Sequence, residues 1–168
     1  MTQSARTKLT PAQEQSLPKY RGKRPDFIIG PIDDPYLLRW WIIPRNRVFN
    51  IYLHKTIKDD DDRALHDHPW FNCSILLKGG LAEIYGKSEK VRRFRRFIPI
   101  FRIGSSRHRL IVPPAHSYAW TLFITGPRYR EWGFYCKKGW VIWKDFVGEN
   151  KGEIGRGCGE HEGENNEG

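Results

Sequence analysis

Short apolar runs recur along the middle of the chain, separated by Gly, Pro or charged residues. Many are rich in Val, Ile, Phe, Trp and Tyr, which are typical of strands. Residues 47–55 alternate between apolar and polar positions, and similar short runs cover 71–77, 81–85, 108–112 and 119–125. No segment keeps a helical period over three turns. The pattern predicts an all-β sandwich or barrel.

Two connections in this pattern can be assigned from their residue types. Gly79-Gly80 separates the runs 71–77 and 81–85, which predicts a hairpin around the two glycines. The apolar segment 36–43 has two interpretations, an opening strand or a short helix laid against the barrel. Residues 91–97 are predicted to form a strand rich in arginine.

Length and composition divide the chain into one domain with two polar ends. A chain of 168 residues has the length of a single domain. Residues 1–25 are polar and basic, which predicts a flexible arm, and residues 148–168 are rich in Gly, Glu and Asn, which predicts a disordered tail. The β domain is therefore expected to cover 26–147. The net charge of +10 favours an anionic partner or substrate.

Cys73, Cys136 and Cys158 form no CxxC pair, and their number is odd. We therefore expect free thiols in a reducing cytosol. No apolar run follows Met1, and no apolar stretch is as long as a membrane span. A soluble cytoplasmic protein without a membrane partner is the expectation.

Three histidines are the candidate metal ligands. His66 and His68 are two residues apart, so their side chains project from the same face of an extended chain. His108 opens a second predicted strand. Three neutral imidazoles on adjacent strands would bind a first-row transition metal and leave positions open for water or substrate. The alternative is a barrel that uses these histidines for hydrogen bonding without a metal.

Two further residues are candidates for catalysis. His116 lies in a proline-rich loop and could act as an acid or a base, because histidine titrates near neutral pH. Cys73 could be a fourth ligand or a thiol near oxygen chemistry. The alternatives are a polar surface histidine and a small buried apolar thiol. His54, at the end of the alternating run 47–55, has the same two interpretations as His116.

The spacing of His66 and His68, the glycines that follow and the third histidine resemble the two motifs of the cupin superfamily. The resemblance covers about residues 47–146. It implies a double-stranded β-helix, the cupin jelly roll, with flexible terminal segments. The usual glutamate ligand of the family would fall at Asn72 or Cys73, and neither is a carboxylate.

Within the cupins, the three-histidine set resembles that of the thiol dioxygenases, whose site holds iron(II). Cys73 also has their spacing from His68, whereas their second-motif histidine and tyrosine would correspond here to Phe123 and Thr125. The C-terminal half is similar to small cupins of phages and prophages, which implies a phage protein in a bacterial or phage-infected cell. The resemblance implies an iron-dependent dioxygenase, an oxidoreductase acting on a small molecule. Zinc, nickel and manganese are alternative metals.

Two other functions remain open from the sequence. One is a non-enzymatic binding protein, associated with nucleic acid or a virion, and the other is a metal-free sugar-nucleotide epimerase. Arginines of segment 91–97 could contact phosphates, or they could simply protect a sheet edge. A homodimer is a further candidate assembly. The arginines that could hold an anionic substrate group are Arg39, Arg45, Arg47, Arg107 and Arg109.

Overall fold

The structure, a computed structural model, describes residues 10–30, 34–59, 64–147 and 157–159. No helix in these ranges is long and apolar enough to cross a bilayer. The elements in chain order are α1 (Pro11–Ser16), β1 (Phe27–Ile29), β2 (Leu37–Trp41), β3 (Asn50–Thr56), β4 (Leu65–His66), β5 (Asn72–Gly79), β6 (Ala82–Tyr85), β7 (Lys90–Arg93), β8 (Pro99–Arg102), β9 (His108–Ile111), β10 (Ala119–Thr125), β11 (Gly133–Cys136), β12 (Gly139–Ile142) and α2 (Trp143–Val147).

The strands form two antiparallel sheets. In the described residues the first sheet has the order β1-β2-β3-β10-β5-β8, and the second has the order β12-β11-β4-β9-β6-β7. The chain passes from one sheet to the other after β3, β4, β5, β7, β8, β9 and β10. This exchange of strands between two sheets is the predicted double-stranded β-helix, or jelly roll.

An apolar cluster joins the two sheets. Leu76 and Ile100 of the first sheet are buried together with Leu81 and Phe94, which belong to the connections at either end of the β6–β7 hairpin. Leu110 of β9 packs against the same cluster. These residues come from several segments of the chain that belong to different sheets, so the cluster forms only when the sheets come together. Polar side chains are also buried in the interior, among them His54, Glu83 and Arg102.

The segment 36–43 contains a strand, β2, and its outer face is covered from the N-terminal side. Leu17 lies in the region assigned to a flexible arm, yet it is only 6% exposed and packs with Leu38, Trp40 and Leu53. The Trp40 indole nitrogen also donates a hydrogen bond of 3.0 Å to the carbonyl of Lys23. This part of the arm is therefore packed on the first sheet, while residues 1–9 of the predicted arm and most of the predicted tail lie outside the described residues.

The predicted hairpin around Gly79-Gly80 is wrong, because β5 and β6 belong to different sheets. Gly79 has φ of +81°, a conformation that glycine adopts without steric cost, and its backbone approaches the Tyr118 carbonyl closely. A side chain at Gly80 would overlap the ring of His116. The two glycines therefore permit a tight passage between sheets rather than a reversal within one sheet.

The expectation of three free thiols is wrong for two of them. Cys136 at the end of β11 forms a disulfide with Cys158, and their Cα atoms are 5.4 Å apart. Cys73 is free and buried. An odd number of cysteines does not exclude one bridge, and no motif in the sequence indicates a pair separated by 22 residues.

Candidate metal centre

The fold brings His66, His68 and His108 together. His66 is in β4 and is paired directly with His108, the first residue of β9, while His68 follows two residues after His66. One ligand atom from each histidine lies within 4.8 Å of the others, and the Nε2 atoms of His68 and His108 are 2.9 Å apart. Two nitrogen ligands about 2.1 Å from one ion are expected to lie roughly 3.0–3.4 Å from each other. The donor set therefore fits a single transition-metal ion.

A buried glutamate sets the orientation of one ligand. The Glu83 carboxylate in β6 lies 3.1 Å from His108 Nδ1, and Glu83 is completely buried. A carboxylate at Nδ1 favours the tautomer with the proton on that nitrogen, so the Nε2 lone pair is left for a metal. The Nε2 atom is the one that faces His68. Glu83 thus supports the ligand without belonging to the group of metal ligands.

Two arginines compensate the charge of Glu83. Arg92 donates from Nε to Glu83 Oε1 at 2.7 Å, and the buried Arg102 donates from Nε to Oε2 at 2.9 Å. Arg102 also donates to the Ser74 hydroxyl at 3.0 Å. Burial by itself would raise the pKa of Glu83, but the hydrogen bond from His108 and the charge of Arg102 outweigh it and lower the pKa to about 2. Glu83 is therefore ionised at neutral pH.

Asp67 holds the backbone of the histidine pair. It points away from the cluster and is fully buried, and its Oδ1 accepts a hydrogen bond of 2.8 Å from the Gly133 N–H. Arg130 donates to Asp67 Oδ2 at 2.8 Å and to the His68 carbonyl at 3.2 Å. The Tyr135 hydroxyl donates to the same carboxylate at 3.1 Å. These contacts determine how His68 leaves β4 and turns toward the other two rings.

The rings of the cluster are shielded by aromatic side chains and by each other. Trp70 stacks beside His68, Phe134 lies beside His66, and the Phe123 ring is 6.0 Å from that of His68. Burial lowers the pKa of His68 well below its ordinary value, and the neighbouring histidines lower it further. Burial also lowers the pKa of His108 to about 3. Neutral imidazoles are the protonation state that a metal requires.

A second polar group lies on the inner face of the first sheet. His54 of β3 is buried and accepts a hydrogen bond of 2.8 Å from Arg39 Nε. The Arg39 guanidinium lies 4.7 Å from the centre of the Tyr52 ring, and no carboxylate among the described residues contacts it. The His54 ring stacks 5.0 Å from Phe123, which connects this group to the metal centre. His54 is therefore an interior residue rather than a polar residue at the surface.

The two predicted catalytic residues are placed elsewhere. Cys73 alternates along β5 with Asn72 and Ser74, which both face Arg102, so its thiol belongs to the other side of the sheet. Burial raises the pKa of this thiol. His116 is exposed in the loop after β9, beyond the opposite end of that strand from His108. Neither joins the three-histidine cluster, and their catalytic roles stay predictions.

The arginine-rich segment is shorter as a strand than predicted. β7 ends at Arg93 and lies at the edge of the second sheet. Phe94 is buried and Arg95 is exposed, whereas Arg92 is bound to Glu83. At least one arginine of this segment therefore has a structural partner inside the barrel.

Sequence reasoning missed the residues that support the ligands. Glu83, Arg102 and Arg130 are separated by many positions from the histidines they serve, and no local pattern marks them. One signal was available for Glu83, which stands in a short run between Ala82 and Ile84 where a charge is unexpected unless it has a buried partner.

Comparisons with known proteins identify the fold. No family model matches the chain, and no curated protein matches it by sequence. Among solved structures, an iron(II) form of HppE has a TM-score of 0.53 and 14% identity, covering 64% of this chain and 58% of that one. Iron(II) HppE with the alternative substrate (S)-1-HPP has a TM-score of 0.52 and 14% identity, covering 67% and 60%.

A putative mannose-6-phosphate isomerase from Ralstonia eutropha JMP134 has a TM-score of 0.49 and 13% identity, covering 58% of this chain and 90% of that one. The chain spans less than two thirds of the HppE structures. At 14% identity the likeness to the two HppE structures concerns the fold alone, a jelly roll of the cupin type.

Proposed function

We propose that this chain, which has the cupin fold, is a metal-dependent oxygenase that acts on a small molecule through His66, His68 and His108. The observation that carries the proposal is the convergence of three imidazole nitrogens on one point in the barrel interior. Bound iron(II) would supply open coordination positions for substrate and dioxygen side by side.

The surrounding residues are suited to prepare this site. Glu83 keeps the proton of His108 on Nδ1, and Asp67 with Arg130 holds the backbone at His68. His66 and His108 are 8% and 3% exposed, so bulk water has little access to the ligand side. Exclusion of water strengthens electrostatic interactions within a site and limits side reactions.

The surroundings of Arg39 favour a substrate that carries an anionic group. Its guanidinium has a neutral partner in His54, and burial of a cation without a carboxylate is unfavourable. A carboxylate or phosphate of the substrate would supply the missing charge through hydrogen bonds to the terminal guanidinium nitrogens. The charges of both Arg39 and Arg102 act on His68, which places Arg39 within electrostatic reach of the ligands.

Metal analysis tests the proposal. Purified protein loaded anaerobically with iron(II) should retain about one ion per chain by mass spectrometry. His66→Ala and His108→Ala should each lose it while keeping the β-sheet circular dichroism spectrum. His116→Ala is the matched control, because this histidine is exposed and outside the cluster. Oxygen uptake by the loaded protein with candidate anionic substrates then tests the reaction class.

Retention of the ion in both ligand variants would place the metal elsewhere. Failure of the wild-type chain to load any metal would oppose the proposal and favour the metal-free functions. One observation favours nucleic-acid binding among these, since Arg93 and Arg95 are exposed at the sheet edge. Salt-sensitive binding of an oligonucleotide by metal-free protein would then support that second function.

A further inference from the structure

A cavity of about 400 Å³ lies beside the metal centre, between the turn after β6 and the loop that precedes β9. Its floor is formed by Glu83 and Arg102, and His108 contributes to its wall. Its rim carries Lys87 on the first of these segments and Arg107 on the second. The volume lies in the range of small-molecule sites. Apart from Glu83, Arg92, Arg102 and His108, its lining has no part in the proposed metal site.

The lining has a surplus of positive charge. The lining residues include four cations, namely Lys87, Arg92, Arg102 and Arg107, and a single carboxylate, that of Glu83, which leaves a net formal charge of +3. The Glu83 carboxylate already accepts hydrogen bonds from Arg92 and Arg102, so it is not available to balance the other cations. A concave surface with one sign of charge concentrates ions of the opposite sign.

These four cations are not equivalent. Arg102 is 4% exposed and is committed to Glu83 and Ser74, so it supplies a fixed positive floor. Arg92 uses Nε and Nη2 on Glu83, but its side chain is 40% exposed. Arg107 lies 4.3 Å from the centre of the Tyr135 ring, a contact that positions the guanidinium without neutralising it. Lys87 is exposed.

The rim also offers neutral donors and a defined shape. Ser105 and Ser106 line the cavity next to Arg107. The Gly86 N–H donates to the Arg107 carbonyl at 3.1 Å, which ties together the two segments that border the cavity. Hydroxyl groups beside arginine and lysine are common partners of phosphate oxygens, and the planar guanidinium can bind two of them at once.

We propose that this cavity binds the phosphate group of a small phosphorylated molecule, with Lys87, Arg107 and the outer edge of Arg92 as its direct partners. A surplus of three positive charges suits a dianion better than a single carboxylate. The recessed floor and the volume favour a small molecule over a polymer, whose phosphates need a continuous track. The site is defined by its own residues and does not require that metal be bound.

Titration calorimetry with inorganic phosphate tests the site on the full-length protein. The wild type should bind phosphate, and Arg107→Gln and Lys87→Gln should each weaken binding about tenfold, the loss expected for one charge-assisted contact. Lys137→Gln is the control, because Lys137 is an exposed lysine on the turn between β11 and β12. Lys87 is exposed, so its variant should fold even if Arg107→Gln does not.

The same titrations give the outcomes that would overturn the site. Absence of phosphate binding by the wild type would do so, as would an equal loss in Lys137→Gln. A short oligonucleotide that displaces phosphate and binds more tightly would assign these cations to a polymer instead. Metal content, measured in parallel, should be the same in Lys87→Gln and wild type. Failure of metal loading therefore remains distinct from failure of phosphate binding.

Discussion

Arg39 and Arg102 both point into the barrel from the first sheet, but their charges are compensated in different ways. Arg102, in the edge strand β8, is bound to the buried carboxylate of Glu83. Arg39, near the other edge in β2, donates to the neutral ring of His54 and lies over Tyr52. One cation therefore has a permanent counterion, and the other has none among the residues that the structure describes.

This difference in pairing distinguishes a cation that stabilises the fold, Arg102, from one that is available to bind a ligand, Arg39. Loss of one partner from a buried ion pair leaves the other charge uncompensated and is strongly destabilising. Arg102 and Glu83 are in this position, and through His108 they also orient a metal ligand. Removal of a cation that has no counterion has a smaller cost, since desolvation already opposes it. Arg39 can therefore serve a ligand without being essential to the fold.

The largest effect is expected for Glu83→Gln. Arg102 would remain buried beside a neutral amide, and the free energy of unfolding should fall by about 3–5 kcal/mol. Urea denaturation measures the change. Arg92→Gln is the matched control, because it removes a half-exposed partner of the same carboxylate and should cost about 1 kcal/mol. The double variant Glu83→Gln with Arg102→Gln should recover more than half of the loss. Equal costs for Glu83→Gln and Arg92→Gln would remove the distinction between buried and exposed partners.

An intermediate effect is expected on the pH dependence of stability, through His54, the hydrogen-bond partner of Arg39. Burial, and then the charge of Arg39, lowers the pKa of His54 well below its ordinary value of 6.5. Below that value the unfolded chain binds a proton that the folded chain resists, so stability is lost as pH falls from about 6.5 toward the folded pKa. His54→Gln should reduce the slope of stability against pH by up to about 1.4 kcal/mol per pH unit in this window. If the wild type and His54→Gln showed the same slope of stability against pH below pH 6.5, the pKa of His54 would not be lowered by folding.

The smallest effect on stability is expected for Arg39→Met. The variant loses the hydrogen bond to His54 and the contact with Tyr52, but it also removes a cation that has no carboxylate partner within the described part of the chain. These terms oppose each other, and the net change should stay within about 1 kcal/mol. Arg102→Met, measured under the same conditions, should cost several times more. A loss for Arg39→Met as large as that for Arg102→Met would show that Arg39 is structural too.

The local pattern of the sequence predicted much of the candidate site. His66 and His68 are close in sequence, and the two-residue period of extended chain relates their directions. His108 was identifiable as the first residue of another apolar run. Glu83 was not identified, because its role depends on His108 and Arg102, which are 25 and 19 residues away. A buried ionic group is recognised by its partners, and these are brought to it only by folding.

The sequence by itself determined the strand-rich character of the chain, the same-sided histidine pair and the third histidine, because side-chain alternation and residue type are local properties. Which strands pair was decided only in the tertiary structure. Gly79-Gly80 looks like a hairpin turn in the sequence but carries the chain into the other sheet. Leu17 and the Cys136–Cys158 disulfide likewise acquire their partners from distant segments. Periodicity specifies the face that a side chain takes, whereas packing of the whole chain selects the neighbour it meets there.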